Sequence, residues 1–194
     1  MGAIINLLQA FGLSTASGLN AYVPLLTLGL LARFTNLVHL NAPYDVLTHP
    51  VVLVVLAVLA LLDFIADKIP AVDHALHLVG LIIHPIVGAI LFLAASSDIG
   101  SVHPVLAAVC GLILGGATHA ARMTVRPAAT VTTAGTANPV VSFLEDVFSL
   151  VLSVLAILVP VVAALLILFL VGWLYLLFRR WRRRPASPGP SGGP

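Results

Sequence analysis

Charge is what this sequence has least of. Its 194 residues include nine Lys and Arg and seven Asp and Glu, together 8% of the chain, where a water-soluble domain carries about a quarter. Hydrophobic residues make up 60% and mean hydropathy is +1.14. Too little polarity is present to coat a soluble globule, so the composition points to an integral membrane protein with length for about six spans. Cysteine is nearly absent. Cys110 alone, in an apolar run, excludes a disulfide framework and a Cys-based zinc site. No basic stretch opens the chain, which argues against a cleaved signal peptide. Neither a phosphate-binding G-x-x-x-x-G-K-[ST] loop, an H-E-x-x-H helix nor a G-x-S-x-G elbow occurs.

What is present is a series of apolar runs. Ala3–Leu13 and Ala21–Arg33 flank a polar interruption; Val51–Ala66, Val72–Ala95, Pro104–Arg122, Pro139–Val159 and Val161–Phe178 follow. The expectation is an all-α, polytopic transmembrane bundle of about six membrane segments, with residues 1–184 as one domain. The tail "PASPGPSGGP" (185–194) has the composition of a disordered segment. The joint at Pro160 is read as a tight hairpin. As one helix, Leu144–Phe178 would run about 52 Å, too long for a hydrocarbon core of roughly 30 Å unless kinked and strongly tilted. "RRWRRR", Arg179 to Arg184, puts the C-terminus in the cytoplasm. Six spans then place Lys68, Arg122 and Arg126 inside and only Arg33 outside.

Two short polar phrases resemble each other. "STASGLNAYV" (14–23) and "TTAGTANPVV" (132–141) share Thr15/Thr133, Ala16/Ala134, Asn20/Asn138 and Val23/Val141. Ser, Thr, Gly and Asn are poor helix formers and good caps. Asn20 is placed to cap a helix from Ala21, and Asn138 one from Pro139, where Pro is favoured. Each phrase therefore reads as a non-helical break followed by a new helix N-terminus, giving two broken or re-entrant helices in a possible internal inverted repeat. Unpaired backbone at membrane depth is tolerated only inside protein or along a wet cavity, and repeat-built transporters bind solutes at such breaks. Two surface loops of small residues would look the same. On the functional reading the substrate-binding candidates are Ser14, Thr15, Ser17, Asn20, Thr132, Thr133, Thr136 and Asn138, with Arg122 and Arg126 alongside.

A second cluster is "DFIADKIPAVDHALHLVGLIIHP", Asp63 to Pro85. Asp63 and Asp67 are four apart, as are Asp73 and His77, and His84 falls on the stripe of His77. Ionisable groups in a span usually face the bundle interior or a wet path. Carboxylates with imidazoles suit a proton relay or a divalent metal, so Asp63, Asp67, Asp73, His77 and His84 are the candidates for either. Solvation at a cytoplasmic turn would equally account for Asp67, Lys68 and Asp73. The third cluster, His119, Arg122 and Arg126, lines one helix face ahead of the second phrase, and the Arg pair suits an anion or phosphate. The positive-inside rule alone would also put these arginines there. Glu145 and Asp146 follow in the next helix, where their charge favours its N-terminal half.

"FGLSTASGLNAYVPLLTLGLLARF", "DFIADKIPAVDHALH" and "TTAGTANPVVSFLEDVFSLVLSVLAILVP" resemble an uncharacterised bacterial family of small membrane proteins, catalogued as domain of unknown function four-one-two-six. The resemblance runs to about Phe178. It implies a bacterial polytopic membrane protein and assigns no residue a role. The reading is a small inner-membrane transporter or channel-like protein, proton-coupled and binding a small anionic solute at the two breaks. The alternative is a membrane-embedded, metal-binding protein or enzyme acting on a lipid headgroup. It would gather Asp63, Asp67, Asp73 and His77 near Arg122 and Arg126 at the cytoplasmic face. The bilayer is the expected partner, and nucleic acid is not.

Overall fold

The structure, a computed structural model, describes residues 2–66, 70–97, 99–100, 102–133 and 138–182. Among them it is all-helical: α1 Gly2–Ser17, α2 Tyr22–Phe34, α3 Pro50–Ala66, α4 Pro70–Ser96, α5 Pro104–Thr133, α6 Asn138–Leu158 and α7 Pro160–Arg182, with one 3-10 turn at Tyr44–Thr48. Leu78–Ser96, Pro104–Thr124 and Pro139–Leu158 are each long and apolar enough to cross a membrane; Tyr22–Phe34, Pro50–Ala66 and Pro160–Trp173 are shorter apolar stretches. The outer face of α3 presents Val51, Val54, Val58, Leu61, Leu62 and Ile65, each at least half exposed. A continuous stripe of that kind suits hydrocarbon rather than water. The chain is a membrane protein.

Glycine sets how closely the helices approach. A Cβ on Gly88 of α4 would run into the Gly111 carbonyl of α5, and a Cβ on Gly111 into that of Gly88. Gly115 sits as tightly, a Cβ there falling 2.5 Å from the His84 carbonyl and 3.0 Å from Ser17 Oγ. Small residues let two backbones meet, the usual device where no hydrophobic effect drives helices together. α1 lies against this pair and also touches α6 and α7. Phe11 meets Phe92 edge to face at 5.2 Å, and Leu13, Leu28, Leu91, Phe92 and Leu152 are fully buried.

Two expectations change. The first polar phrase is mostly helix: Ser14 to Ser17 close α1, and the break is confined to Gly18–Ala21. Ser14 and Ser17 escape the usual helix penalty of serine because their hydroxyls donate to the Gly88 and Ser14 carbonyls at 2.9 and 2.7 Å. In the second phrase Thr132 and Thr133 likewise belong to a helix, α5, which runs well beyond Arg122; residues 134–137 lie outside the described residues, and α6 opens at Asn138.

At Pro160 only Val159 separates α6 from α7. Its N–H still donates to Leu155 at 2.8 Å and its carbonyl still accepts from Ala163 at 3.2 Å. Yet Ala156 and Ala163 both come within 4 Å of a Cβ built on Gly12. They are thus closer together than the roughly 10 Å that seven residues of straight helix span. The joint is a sharp bend at proline, which lacks the N–H needed to continue the ladder. The tail from 185 lies outside the described residues.

Candidate functional site

The break between α1 and α2 is the polar centre of the molecule. A helix C-terminus leaves its last carbonyls without helical partners, and here the break's own N–H groups and side chains from α4, α5 and α6 supply them. The Ala16 carbonyl accepts from Leu19 N at 3.0 Å and from Ser149 Oγ at 3.0 Å. The Ser17 carbonyl meets His84 Nδ1. The Leu19 carbonyl accepts from Arg122 Nη1 at 2.7 Å, a cation at the negative end of a helix. Gly18 is required by proximity: a Cβ there would lie 2.7 Å from the Gly115 carbonyl and 2.8 Å from His119 N.

Asn20 closes the break and uses all its hydrogen-bonding capacity. Its Oδ1 accepts from the N–H groups of Tyr22 at 2.9 Å and Val23 at 3.0 Å, capping α2. Its Nδ2 donates to Asp146 Oδ1 at 2.9 Å and to Asp63 Oδ2 at 3.1 Å. Two carboxylates, from α3 and α6, are thus held by one amide, itself 1% exposed. They face the N-terminal end of α2, where the helix dipole favours negative charge.

Beside this hub lie two further pairs. Arg122 Nε donates to Glu145 Oε2 at 2.8 Å, with side chains 3% and 14% exposed. The rings of His84 and His119 stack at 4.0 Å and 20°. Gly80 makes room for them: a Cβ there would fall 2.7 Å from His119 Cε1 and 3.0 Å from His84 Cδ2. Because a carbonyl only accepts, His84 Nδ1 carries the hydrogen in that contact. A small cavity of about 60 Å³, lined by Tyr22, Asp63, Gly80, Ile83 and His84 among others, joins the Asp63 carboxylate to the His84 imidazole. It has room for a few waters, and Asp63, Tyr22 and His84 offer polar partners.

A larger apolar cleft of about 410 Å³ opens between α1, α5, α6 and α7. Leu114, Phe148, Leu152, Ile167 and Trp173 form much of its wall, and Arg122 and Glu145 also line it. The hub and the cleft thus share an ion pair.

Of the residues singled out in the sequence, Asn20, Ser17, Asp63, His84 and Arg122 converge at the break. Ser14 binds α1 to α4 nearby, while the Thr15 hydroxyl donates to Phe11 O on its own helix at 2.7 Å. Asp67 and Thr136 lie outside the described residues, as do the side chains of Asp73, His77, Arg126, Thr132, Thr133 and Asn138. Among the described residues no group of three His, Cys, Asp or Glu could hold a metal ion. The sequence reading missed the partners: Asp146 and Ser149 on Asn20 and Ala16, and His119 on His84. One signal was available. Ser142, Asp146, Ser149 and Ser153 are spaced four, three and four apart on a helix whose other polar residues are Asn138 and Glu145, a single helical stripe, and all three serines are fully buried.

The chain belongs to the family DUF4126, described as a domain of unknown function, whose model matches residues 7–180 and so includes the hub and the cleft. No curated protein and no solved structure matches it significantly.

Proposed function

We propose that this chain is a small transporter of the bacterial inner membrane, and that the α1–α2 break is a proton-exchanging site coupled to the passage of a small solute. The observation that carries the reading is the single buried amide of Asn20 between Asp63 and Asp146. Ionisable groups inside a bundle of apolar helices mark proton and ion paths, and here two carboxylates meet on one amide. From Asp63 the small cavity leads to His84 and its stacked neighbour His119, and imidazole is a side chain that serves as a proton shuttle. The thread Asp146, Asn20, Asp63, His84, His119 crosses four helices. It ends beside Arg122, which grips the backbone of the break itself.

The sequence reading put an anionic solute on Asn20. Both amide hydrogens of Asn20 now go to carboxylates, so the solute class with the better fit at this point is neutral or cationic. Multi-pass topology with a cytoplasmic C-terminus rests on the Arg179–Arg184 cluster, and the two-phrase repeat on its sequence likeness. The lipid-headgroup enzyme would need Asp67, Asp73 and His77 beside Asp63, and nothing favours it over transport.

The test is proton flux in proteoliposomes that trap a pH-sensitive dye, with a solute panel added outside. Wild-type protein should move protons only with a subset of solutes, and Asp63→Asn should abolish that movement. Unchanged flux in Asp63→Asn, or no proton movement with any solute, would sink the reading.

A further inference from the structure

We infer that the arginine-rich end of α7, Arg179 to Arg184, is a binding surface for anionic phospholipid, gathering headgroups of net negative charge around the end of the helix. The inference rests on α7 crossing the membrane, as in the multi-pass topology proposed above, and is independent of transport. Three observations carry it.

The first is the register of α7. The helix runs from Pro160 to Arg182, and its sequence is uncharged from Pro160 through Phe178. That part rises about 28 Å, close to the roughly 30 Å of a bilayer's hydrocarbon core. Arg179 is therefore the first charged residue at headgroup level. Tyr175 and Trp181 bracket the same level, where aromatic rings are enriched.

The second is exposure. α7 packs against α1 and α6, but its later turns open to the surroundings. Val171, Trp173, Tyr175 and Leu176 are each more than half exposed, and a Cβ on Gly172 would meet nothing within 4 Å. Arg179 is exposed as well. At about 100° per residue, these positions take in about half of the helix circumference, and lipid has access over that arc.

The third is charge. Five of the chain's nine Lys and Arg residues fall in "RRWRRR", and no acid follows Asp146. Asp63, Asp146 and Glu145 are engaged at the hub, by Asn20 and Arg122. In the six-span topology the other acids on the C-terminal face are Asp67 and Asp73, matched in number by Lys68 and Arg126. The five arginines are thus in excess, however those four residues pair. Orientation by the positive-inside rule uses this charge during insertion, and the charge remains afterwards. A basic cluster of this size at the end of a span attracts anionic lipid, and guanidinium matches phosphate oxygens bidentately. Every phospholipid carries the phosphate, so net headgroup charge is what discriminates. Phosphatidylglycerol has it; phosphatidylcholine and phosphatidylethanolamine do not.

The experiment uses the full chain in nanodiscs of phosphatidylcholine doped with phosphatidylglycerol or, separately, with phosphatidylethanolamine. Lipid retained on transfer to detergent is read by native mass spectrometry. Phosphatidylglycerol should be retained severalfold above its share of the bilayer and phosphatidylethanolamine at its share, and added sodium chloride should erode the enrichment. Arg179→Gln, Arg180→Gln, Arg182→Gln, Arg183→Gln and Arg184→Gln together should bring phosphatidylglycerol down to its share. The same five positions changed to lysine should keep the enrichment, because the charge is kept. Arg33→Gln, on the opposite face, should leave it unchanged. Melting temperatures of all variants are followed as a control for folding. A second measurement needs no change to the arginines: Trp173→Phe leaves Trp181 as the one tryptophan. Phosphatidylglycerol brominated high in its acyl chains should quench Trp181 fluorescence more than brominated phosphatidylcholine at the same fraction. Phosphatidylglycerol retained only at its share, enrichment that survives the five glutamines, enrichment lost equally with the five lysines, or equal quenching by the two brominated lipids would overturn the surface. Lipid retention and proton flux are separate readouts, so failure of one leaves the other standing.

Discussion

Asn20 and Asn138 stand in similar phrases, each at the start of an apolar helix, but the two junctions differ in backbone: Gly18–Ala21 separate α1 from α2, whereas α5 runs helical to Thr133 and α6 opens at Asn138 itself. At the first, a break four residues long draws side chains from α3, α4, α5 and α6, and every hydrogen bond of Asn20 is spoken for. The later half of the chain still supplies the first break, but from deeper in its helices: Arg122 ahead of its phrase, Glu145, Asp146 and Ser149 two to three turns after it. A polar phrase in an apolar chain thus marks where backbone needs help. The groups that give the help come from helix interiors, where each is one polar residue among many apolar ones.

The largest effect should come from removing the hub. Asn20→Leu strips an amide donor from each of two carboxylates, about 1.5–3 kcal/mol per bond to a charged group, and a helix cap of about 1 kcal/mol. Loss of most folded protein in detergent is the expected outcome, read by thermal unfolding. If Asn138 caps α6 as its position in the sequence suggests, Asn138→Leu should cost about 1 kcal/mol. Equal losses at the two positions would erase the contrast and give Asn138 a hub of its own. Asn20→Asp sharpens the case: it keeps a capping oxygen but turns the donor toward Asp63 and Asp146 into an acceptor. It should therefore cost nearly as much as leucine at neutral pH.

The fold was legible in the sequence where a segment is long and uniformly apolar. The boundaries of α3, α4 and α6 fall within about two residues of the runs that predicted them. Cap chemistry was legible too, since Asn20 has no apolar role before such a run. The extent of helix through Ser14–Ser17 and Thr132–Thr133 was not, because the serines are stabilised by carbonyls, some on another helix, and sequence spacing does not report cross-helix contacts. The pairing of Asp63 with Asp146 was hidden for the same reason: the two are far apart in the chain and are joined through Asn20. His84 was singled out, whereas its contact with His119 depends on Gly80 and on how closely α4 and α5 approach.

Next in size is the ion pair. Arg122→Gln leaves Glu145 and the Leu19 carbonyl without their cation, and breaking a buried pair from one side typically costs about 3–5 kcal/mol. The double substitution Arg122→Gln with Glu145→Gln should recover part of that loss, because no orphaned charge remains. Thermal unfolding of the two singles and the double closes the cycle. A double variant as unstable as the sum of the singles would mean that the residues act separately.

A smaller effect is expected from crowding. Gly18→Ala places a methyl group against Thr118 and the Gly115 carbonyl. Either α1 must shift from α5 or the break must deform, for about 1–3 kcal/mol as in other overpacked sites. Gly172→Ala is the control: a Cβ there meets nothing within 4 Å, and removing a mid-helix glycine should leave stability unchanged or raise it by roughly 0.5–1 kcal/mol. A harmless Gly18→Ala would show that the break has slack that its contacts do not reveal.

The smallest expected effect is at Ser149. Its hydroxyl donates to the Ala16 carbonyl at 3.0 Å, from a fully buried position on α6. That carbonyl also accepts from the N–H groups of Leu19 and Asn20, so Ser149→Ala does not leave it bare, and the loss should be about 0.5–1 kcal/mol, one neutral hydrogen bond. Ser153→Ala, whose hydroxyl donates only to Ser149 O of its own helix at 2.7 Å, should change stability less still, since alanine is the better helix former. The two serines occupy the same stripe and are equally buried, so side-chain size and solvation cancel between them. The difference in melting temperature therefore reports the single bond that ties α6 to the end of α1. No difference would mean that this bond holds nothing in place, and that the break is fixed by Asn20 and Arg122 alone.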